Sequence, residues 1–167
     1  MNRTLVLVRH AKAMTEAPSD IQRRLAGRGR RDATAAGRWL AEQGIAPDLV
    51  VVSPATRAQE TWDAIAPALA VKRRSTDNRI YDNTERSLRE LIAETPDDVR
   101  TLVLVGHNPS MHGLAITLSD GTGDAAAETA IRSDYPTCGI AVFDVDGAWP
   151  DLELGDATIR AFEAPRG

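Results

Sequence analysis

The sequence predicts an α/β sandwich of three layers, in which a mostly parallel central sheet with an antiparallel edge strand lies between helices. Short, unbroken apolar runs alternate with longer stretches of helical spacing along the chain. Unbroken apolar strands are typical of parallel sheets that are covered on both faces. The length of 167 residues, with 43% hydrophobic and 26% charged residues, indicates a single domain over residues 1–167.

Five segments are predicted to be strands. The three central ones consist of Val, Leu and Thr and contain no charged residue. The last two are joined through a region rich in Gly and Pro, and we expect them to be antiparallel and to lie at an edge. In chain order, the predicted strands are residues 4–8, 49–52, 101–105, 138–143 and 158–162.

Three helices are predicted from the spacing of Leu, Ile, Ala and Trp, over residues 29–43, 54–70 and 84–94. Gly44 ends the first of them. The stretch 120–134 is rich in Gly, Ala, Thr and Asp, so it is predicted to be mostly loop with one short helix.

Composition excludes several classes of function. The formal net charge is −4, which gives no overall attraction to nucleic acid. The single cysteine, Cys138, allows no disulfide within the chain. No charged leader precedes an apolar segment, and no apolar run is long enough to cross a bilayer. We therefore expect a cytoplasmic protein with neither a membrane nor a nucleic acid as its partner; the sequence indicates no oligomeric state.

An arginine cluster interrupts this acidic background between Arg23 and Arg31. The simplest interpretation is the solvated start of the first helix, near the mouth of a pocket, where it could attract acidic substrates. A competing interpretation is a docking surface for nucleic acid or an acidic protein. The overall acidity and the absence of interleaved aromatic residues argue against nucleic acid.

Polar residues follow each of the three central strands. Arg9-His10 follows the first strand, Ser53-Pro54-Ala55-Thr56-Arg57 the second and His107-Asn108-Pro109 the third. In an open parallel sheet, ligands bind beyond the carboxyl ends of the strands, so these residues are expected to meet there. Ser53 and Asn108 are predicted to cap helices whose free N–H groups point into the same crevice. Two arginines and two histidines beside such helix ends predict a phosphate site.

Each residue of this set has a predicted role. A neutral imidazole can attack phosphorus and become phosphorylated, which suits His10. Arg9 and Arg57 would hold the equatorial oxygens of the phosphoryl group, and His107 would add a further donor. Asn108 is expected to contribute to substrate binding beside them. No metal or other cofactor is required, since acidic spacings for a magnesium or zinc site are not visible in these loops.

These motifs resemble the histidine phosphatase superfamily, the phosphoglycerate-mutase-like enzymes, from about Thr4 to Phe143. The superfamily has an Arg-His turn after its first strand, a Ser-Pro-x-x-Arg helix start after the second and a Gly-His or Ser-His turn later. Among its members, the chain is most similar to the small bacterial SixA-type phosphohistidine phosphatases. The resemblance implies that His10 is the nucleophile and that Arg9, Arg57 and His107 complete the phosphate pocket. The residues that carry this likeness are 8–13, 20–29, 53–61 and 135–139.

The chain departs from the superfamily at two places. Ala11 stands where the larger family has glycine. The acid that protonates the leaving oxygen is not evident, and the candidates are Asp82, Glu85 or none. Phosphohistidine has a labile P–N bond and leaves as imidazole, so it needs this acid less than an alcohol ester does.

The sequence thus favours a phosphohistidine on a protein as the substrate. The alternatives are a phosphomonoesterase acting on a small phosphorylated metabolite, and a non-catalytic module that binds phosphate or an acidic partner. Several other residues have simpler interpretations. His112 is predicted to pack inside the protein, and Cys138 is predicted to be a small core residue on a strand. Lys12 and Ser53 could contact phosphate, but a solvated lysine and a plain helix cap explain them equally well.

Overall fold

A six-stranded mixed sheet forms the centre of the molecule in the computed structural model, which describes residues 2–167. The order across the sheet is β3-β2-β4-β1-β5-β6, in which the first four strands are parallel and the last two are antiparallel to their neighbours. The strands are β1 (Asn2–Arg9), β2 (Leu49–Val52), β3 (Arg73–Thr76), β4 (Thr101–Gly106), β5 (Ile140–Asp146) and β6 (Ala157–Glu163).

Helices cover both faces of the sheet. Helices α1 and α2 pack on one face, and the other four pack on the opposite face. None of the helices in the described part of the chain is long and apolar enough to cross a bilayer. The helices are α1 (Gly27–Glu42), α2 (Thr56–Ile65), α3 (Arg79–Asp82), α4 (Glu85–Ala93), α5 (Ser110–Leu118) and α6 (Ala125–Ser133). The predicted three-layer α/β fold, with a mostly parallel sheet and antiparallel strands at one edge, is confirmed.

The apolar runs form the central strands because both faces of those strands are covered. In β1, Leu5 and Leu7 enter the core beneath α4, α5 and α6, whereas Val6 and Val8 enter the core beneath α1 and α2. Successive side chains of a strand point to opposite faces, so a strand that is buried on both faces must be apolar throughout. All four side chains are fully buried.

Strand β3 and helix α6 differ most from the sequence predictions. Strand β3 was missed because its sequence, Arg-Arg-Ser-Thr, is polar and exposed at the sheet edge. The short helix predicted within 120–134 is present as α6, but it takes up nine residues, so the prediction that most of this stretch is loop is wrong. The Asp124 side chain accepts a hydrogen bond from Ala127 N and caps this helix.

The boundaries of α2 and α5 also differ from the predictions. Helix α2 has Ala55 rather than Ser53 at its N-cap and ends at Ile65, short of the predicted 54–70. A 3₁₀ turn containing Pro67 follows it, since proline has no N–H to continue the hydrogen bonds of the helix. Helix α5 has Pro109 rather than Asn108 at its N-cap. The predicted N-cap positions of Ser53 and Asn108 are therefore wrong, although Asn108 Oδ1 does accept a hydrogen bond from His112 N in the first turn of α5.

Cys138 is buried as predicted, but it does not lie on a strand. It precedes β5 in a left-handed backbone conformation with φ of 62°. His112 packs as predicted: its Nε2 lies 2.6 Å from the Ile131 carbonyl oxygen, and its ring lies against Tyr135.

Candidate active site

The register of the central strands places the predicted site residues side by side. Arg9, the last residue of β1, is paired with Gly106, the last residue of β4. The His10 N–H donates to the Gly106 carbonyl, and the Ser53 N–H donates to the Val105 carbonyl. His10 and His107 therefore emerge from adjacent strand ends, and their ring centroids lie 5.3 Å apart.

A cavity of about 280 Å³ opens at this edge of the sheet. All five residues that the sequence singled out contribute to its wall, although they come from three separate segments of the chain. The lining residues are Arg9, His10, Lys12, Ala13, Arg23, Arg57, Asn83, His107, Asn108 and Thr137. The side chains predicted to bind phosphate are thus brought together.

A hydrogen bond fixes the tautomer of His10, and burial keeps its imidazole neutral. Its side chain is buried, and Nδ1 lies 2.7 Å from the Ala11 carbonyl oxygen. A carbonyl oxygen can only accept, so Nδ1 carries the proton and Nε2 keeps its lone pair. Burial is the main cause that lowers the pKa of His10 to about 4; the hydrogen bond with the Ala11 backbone opposes this shift, and the positive charges of Arg57 and Arg9 add to it. The ring is therefore uncharged at neutral pH.

The two arginines are each anchored at the tip of the guanidinium group. Arg9 Nη1 donates to the Tyr135 carbonyl over 2.9 Å. Arg57 Nη1 donates to the Asp20 carbonyl over 2.8 Å, and its Nη2 donates to Asp20 Oδ2 over 3.1 Å. The Nε atoms of both arginines are buried and have no hydrogen-bond partner within residues 2–167.

His107 contacts Ser53 behind the cavity, where its Nε2 lies 2.7 Å from Ser53 Oγ. Burial is the main cause that lowers the pKa of His107 to about 3, with His10 and Arg57 adding to the shift. Its Nδ1 is buried without a partner in the described chain. Residues 2–167 contain six such buried side-chain atoms, and three of them belong to Arg9, Arg57 and His107, which line this cavity.

The sequence analysis missed Asp20 and Tyr81 as neighbours of the site and did not single out Arg23 from its cluster. The segment that contains Asp20 and Arg23 folds back beside Arg57, and Tyr81 reaches the same point from α3. Tyr81 Oη donates to Asp20 Oδ2 over 2.6 Å, and Arg23 Nη1 donates to Asp20 Oδ1 over 3.1 Å. The Tyr81 hydrogen bond is the largest cause that lowers the pKa of Asp20 to about 2, with Arg23 and Arg57 adding to it. Asp20 therefore stays ionised at neutral pH.

The predicted arginine cluster separates into different contacts. Arg24 and Arg30 both form ion pairs with Glu60, and Arg28 lies 3.6 Å from Asp32. Arg23 alone of these four lines the cavity. Carboxylates from elsewhere in the chain thus neutralise much of the cluster, which weakens its case as a docking surface for an acidic partner.

The N-terminus of α5 does not offer the free N–H groups that were predicted there. Ser110 N donates to Asn83 Oδ1 over 3.1 Å, and His112 N donates to Asn108 Oδ1 over 3.3 Å. Met111 N donates to the His107 carbonyl over 3.0 Å. The first turn of this helix is therefore satisfied by protein acceptors.

The two acids considered for the leaving group lie away from the cavity wall. Asp82 is exposed at the end of α3. Glu85 Oε1 accepts a hydrogen bond from Thr117 Oγ1 on α5 over 2.9 Å. Among residues 2–167, no group of three or more His, Cys, Asp or Glu side chains is arranged to hold a metal ion.

Comparison with known proteins identifies the family. The family model of the histidine phosphatase superfamily (branch 1) matches residues 5–80. An uncharacterized protein of Mycobacterium tuberculosis is 40% identical over 164 residues, which cover 95% of this chain and 100% of that protein.

Solved structures give the same answer. A protein of Nakamurella multipartitia that is assigned as the phosphohistidine phosphatase SixA superimposes with a TM-score of 0.86 and 31% identity, covering 99% of this chain and 97% of its own. A protein of Agrobacterium tumefaciens with the same assignment gives a TM-score of 0.78 and 28% identity, covering 98% of this chain and 99% of its own. The chain therefore belongs to the histidine phosphatase superfamily and is a phosphatase.

Proposed function

We propose that this phosphatase removes phosphate from phosphohistidine on a protein, through a phosphorylated intermediate on His10. The observation that carries the proposal is that three residues lining one cavity, Arg9, Arg57 and His107, each have a buried side-chain nitrogen without a partner in residues 2–167. Buried polar groups in folded proteins nearly always have partners. A bound phosphoryl group would supply the missing acceptors, and its negative charge would match the two guanidinium groups.

His10 has the form that nucleophilic attack on phosphorus requires. Its Nδ1–H donates to the Ala11 carbonyl, so the lone pair of Nε2 is free to react. In the first step the substrate ring carries a proton on its other nitrogen; the Nε2–P bond forms and the P–N bond of the substrate breaks, which releases the substrate histidine as a neutral imidazole. In the second step water attacks phosphorus, the Nε2–P bond breaks, and inorganic phosphate and neutral His10 are regenerated.

The guanidinium groups contribute through their position. Tyr135 and Asp20 hold the arginines in place before substrate arrives. Preorganised donors stabilise the charge that develops on the phosphoryl oxygens in the transition state without having to reorient. Each arginine is held through its Nη atoms, and its Nε atom has no partner within residues 2–167.

The carboxylates around the cavity favour phosphohistidine over an alcohol ester. Asp82 and Glu85 do not line the cavity, and the pKa of Asp20, lowered to about 2, leaves it without a proton to give at neutral pH. An alkoxide leaving group needs a proton from a general acid, whereas an imidazole can depart neutral.

The size of the cavity favours a residue on a protein. About 280 Å³ is at the lower end of the range of roughly 300–1,000 Å³ that is usual for pockets enclosing whole small molecules. The phosphorylated ring would enter while the rest of the substrate stays outside. The assignment of two similar structures as SixA phosphohistidine phosphatases supports the same substrate class.

The substrate is tested by comparing kcat/KM for a phosphohistidine protein, a phosphoserine peptide and small sugar phosphates. We expect the phosphohistidine protein to be preferred by at least about tenfold. Preference for the sugar phosphates would replace the proposal with a small-molecule phosphomonoesterase. Tight phosphate binding without turnover of any substrate would leave a non-catalytic binding module.

Matched histidine variants check that the activity belongs to this cavity. His10→Gln is expected to abolish turnover. His112→Gln changes a histidine that contacts the Ile131 carbonyl outside the cavity, and it is expected to retain activity. Equal loss of activity in both variants would contradict the assignment of His10.

A further inference from the structure

Ser53 lies behind the cavity and joins two parts of the site. Its side chain is fully buried, and its hydroxyl oxygen lies 2.7 Å from Nε2 of His107. The backbone N–H of Ala55 donates to the same oxygen over 3.2 Å. Ser53 therefore connects the turn before α2 with the histidine that follows β4.

The direction of the Ser53–His107 hydrogen bond follows from the number of protons available. A serine hydroxyl has one proton and two lone pairs, and the Ala55 N–H occupies one lone pair. Within residues 2–167, His107 Nε2 is the only acceptor that the structure offers this proton. The opposite direction would leave the buried hydroxyl proton of Ser53 without an acceptor. We therefore assign the hydroxyl as the donor to Nε2, and a neutral His107 then carries its own proton on Nδ1.

We infer that Ser53 is a positioning residue that fixes His107 in the Nδ1–H tautomer and so makes it a hydrogen-bond donor to the phosphoryl group. This inference rests on the proposed function. The Nδ1 atom is buried and lacks a partner among the described residues. A lone pair at that position would repel phosphoryl oxygens, whereas an N–H would stabilise them.

The two histidines of the site then have the same tautomer and opposite uses. His10 donates its Nδ1–H to the Ala11 carbonyl and keeps a reactive lone pair at Nε2. His107 accepts the Ser53 hydroxyl at Nε2 and keeps an Nδ1–H without a partner in the described chain. Because both rings are neutral, the nucleophile and the donor can lie next to each other without repulsion between two positive charges.

The tautomer can be measured directly in the wild-type protein. The chain contains only three histidines, so the ring ¹⁵N resonances can be assigned with one His→Gln variant for each. Protonated and unprotonated ring nitrogens have well-separated chemical shifts. We expect His107 to show a protonated Nδ1 and an unprotonated Nε2 at neutral pH. A protonated Nε2 would overturn the inference.

Variants then test the role of the hydroxyl. Ser53→Ala is expected to give a mixture of the two His107 tautomers and to lower kcat for phosphohistidine by about ten- to a hundredfold, up to the usual cost of losing one preorganised donor. Ser53→Thr keeps the hydroxyl and is expected to restore the Nδ1–H tautomer and most of the rate. Retention of both the tautomer and the rate in Ser53→Ala would refute the positioning role.

Ser110→Ala is the matched control. Ser110 is also a buried serine, and its Oγ donates to the His107 backbone carbonyl over 3.0 Å rather than to the ring. We expect this variant to leave the His107 tautomer unchanged and kcat within about threefold of wild type. An effect as large as that of Ser53→Ala on both readouts would reduce the role of Ser53 to general packing.

The inference and the proposed function fail in different ways. If wild type hydrolyses phosphohistidine but has the Nε2–H tautomer, the inference alone is wrong. If wild type has the Nδ1–H tautomer but does not hydrolyse phosphohistidine, the proposed function is wrong and the catalytic role of the tautomer fails with it. In that case a titration with inorganic phosphate would still report whether the His107 Nδ1 resonance responds to an anion.

Discussion

Acidification is expected to destabilise the protein through the two histidines of the site. Burial lowers the pKa of His10 to about 4 and that of His107 to about 3, whereas a histidine of the unfolded chain titrates near about 6.5. As the pH falls below this unfolded value, the unfolded chain takes up protons that the folded protein does not. The stability contributed by the neutral rings is therefore present above about pH 6.5 and is lost as the pH falls toward the folded values.

The magnitude follows from the size of these pKa differences. When the pH falls from about 7.5 to about 5, each histidine is expected to lower the free energy of unfolding by about 2 kcal/mol. Both rings stay neutral in the folded protein over this range, so together they cost about 4 kcal/mol. A loss of this size is a large fraction of the stability of an ordinary domain.

Urea unfolding at the two pH values measures this loss, followed by the fluorescence of the three tryptophans. His10→Gln and His107→Gln are each expected to lose about 2 kcal/mol less than wild type over the same interval, and the double variant about 4 kcal/mol less. Carboxylates common to all four proteins cancel in these differences. An equal loss in wild type and His10→Gln would refute a neutral, buried His10.

Three other predictions concern Arg57, Gly29 and Cys138. Arg57→Lys is expected to lower kcat/KM by about 10²- to 10³-fold, because a lysine cannot bond Asp20 and the phosphoryl group with one planar fork; a change below about threefold in steady-state kinetics would contradict this role. Gly29→Ala is expected to destabilise the protein by at least about 1 kcal/mol, since the new Cβ would overlap the backbone carbonyl of Lys12; an unchanged Tm would argue against the close approach of α1 to this loop. Burial raises the pKa of Cys138 to about 12, so we expect alkylation only after unfolding, and rapid labelling of the native protein in mass spectrometry would count against this burial.

The sequence was sufficient to predict the centre of the fold and the centre of the site. The apolar runs in β1, β2 and β4 identify strands that are covered on both faces, and the carboxyl ends of parallel strands must lie at one edge. Arg9, His10 and His107 were therefore predictable neighbours. Their lining of one cavity with Arg57 and Asn108 agrees with that prediction.

Residues that reach the site from irregular segments were not predictable in the same way. Arg23 lies among several arginines, and nothing in the local sequence distinguishes it from Arg24, which pairs with Glu60 at a separation of 36 residues. Tyr81 lies in a four-residue helix that has little periodicity to recognise. Such contacts depend on how distant segments pack, which local patterns do not encode.

Helix ends were the least accurate part of the sequence analysis. Ser53 has the residue type of a helix cap, but its hydroxyl bonds the ring of His107 instead. Asn108 does accept a hydrogen bond from the first turn of α5, yet Pro109 occupies the N-cap itself. A polar side chain at the end of a strand can serve either a helix or a catalytic cavity, and only the tertiary fold decides between them.

The most direct test of the central claim is to locate the phosphorus atom on the enzyme during turnover. The protein would be mixed with a phosphohistidine protein, quenched in alkali, and examined by mass spectrometry and ³¹P NMR. We expect phosphorus on Nε2 of His10, because Nδ1 is held by the Ala11 carbonyl, and no phosphoenzyme in His10→Ala. Phosphorus on Nδ1, on another residue, or still present in His10→Ala would contradict the proposed mechanism.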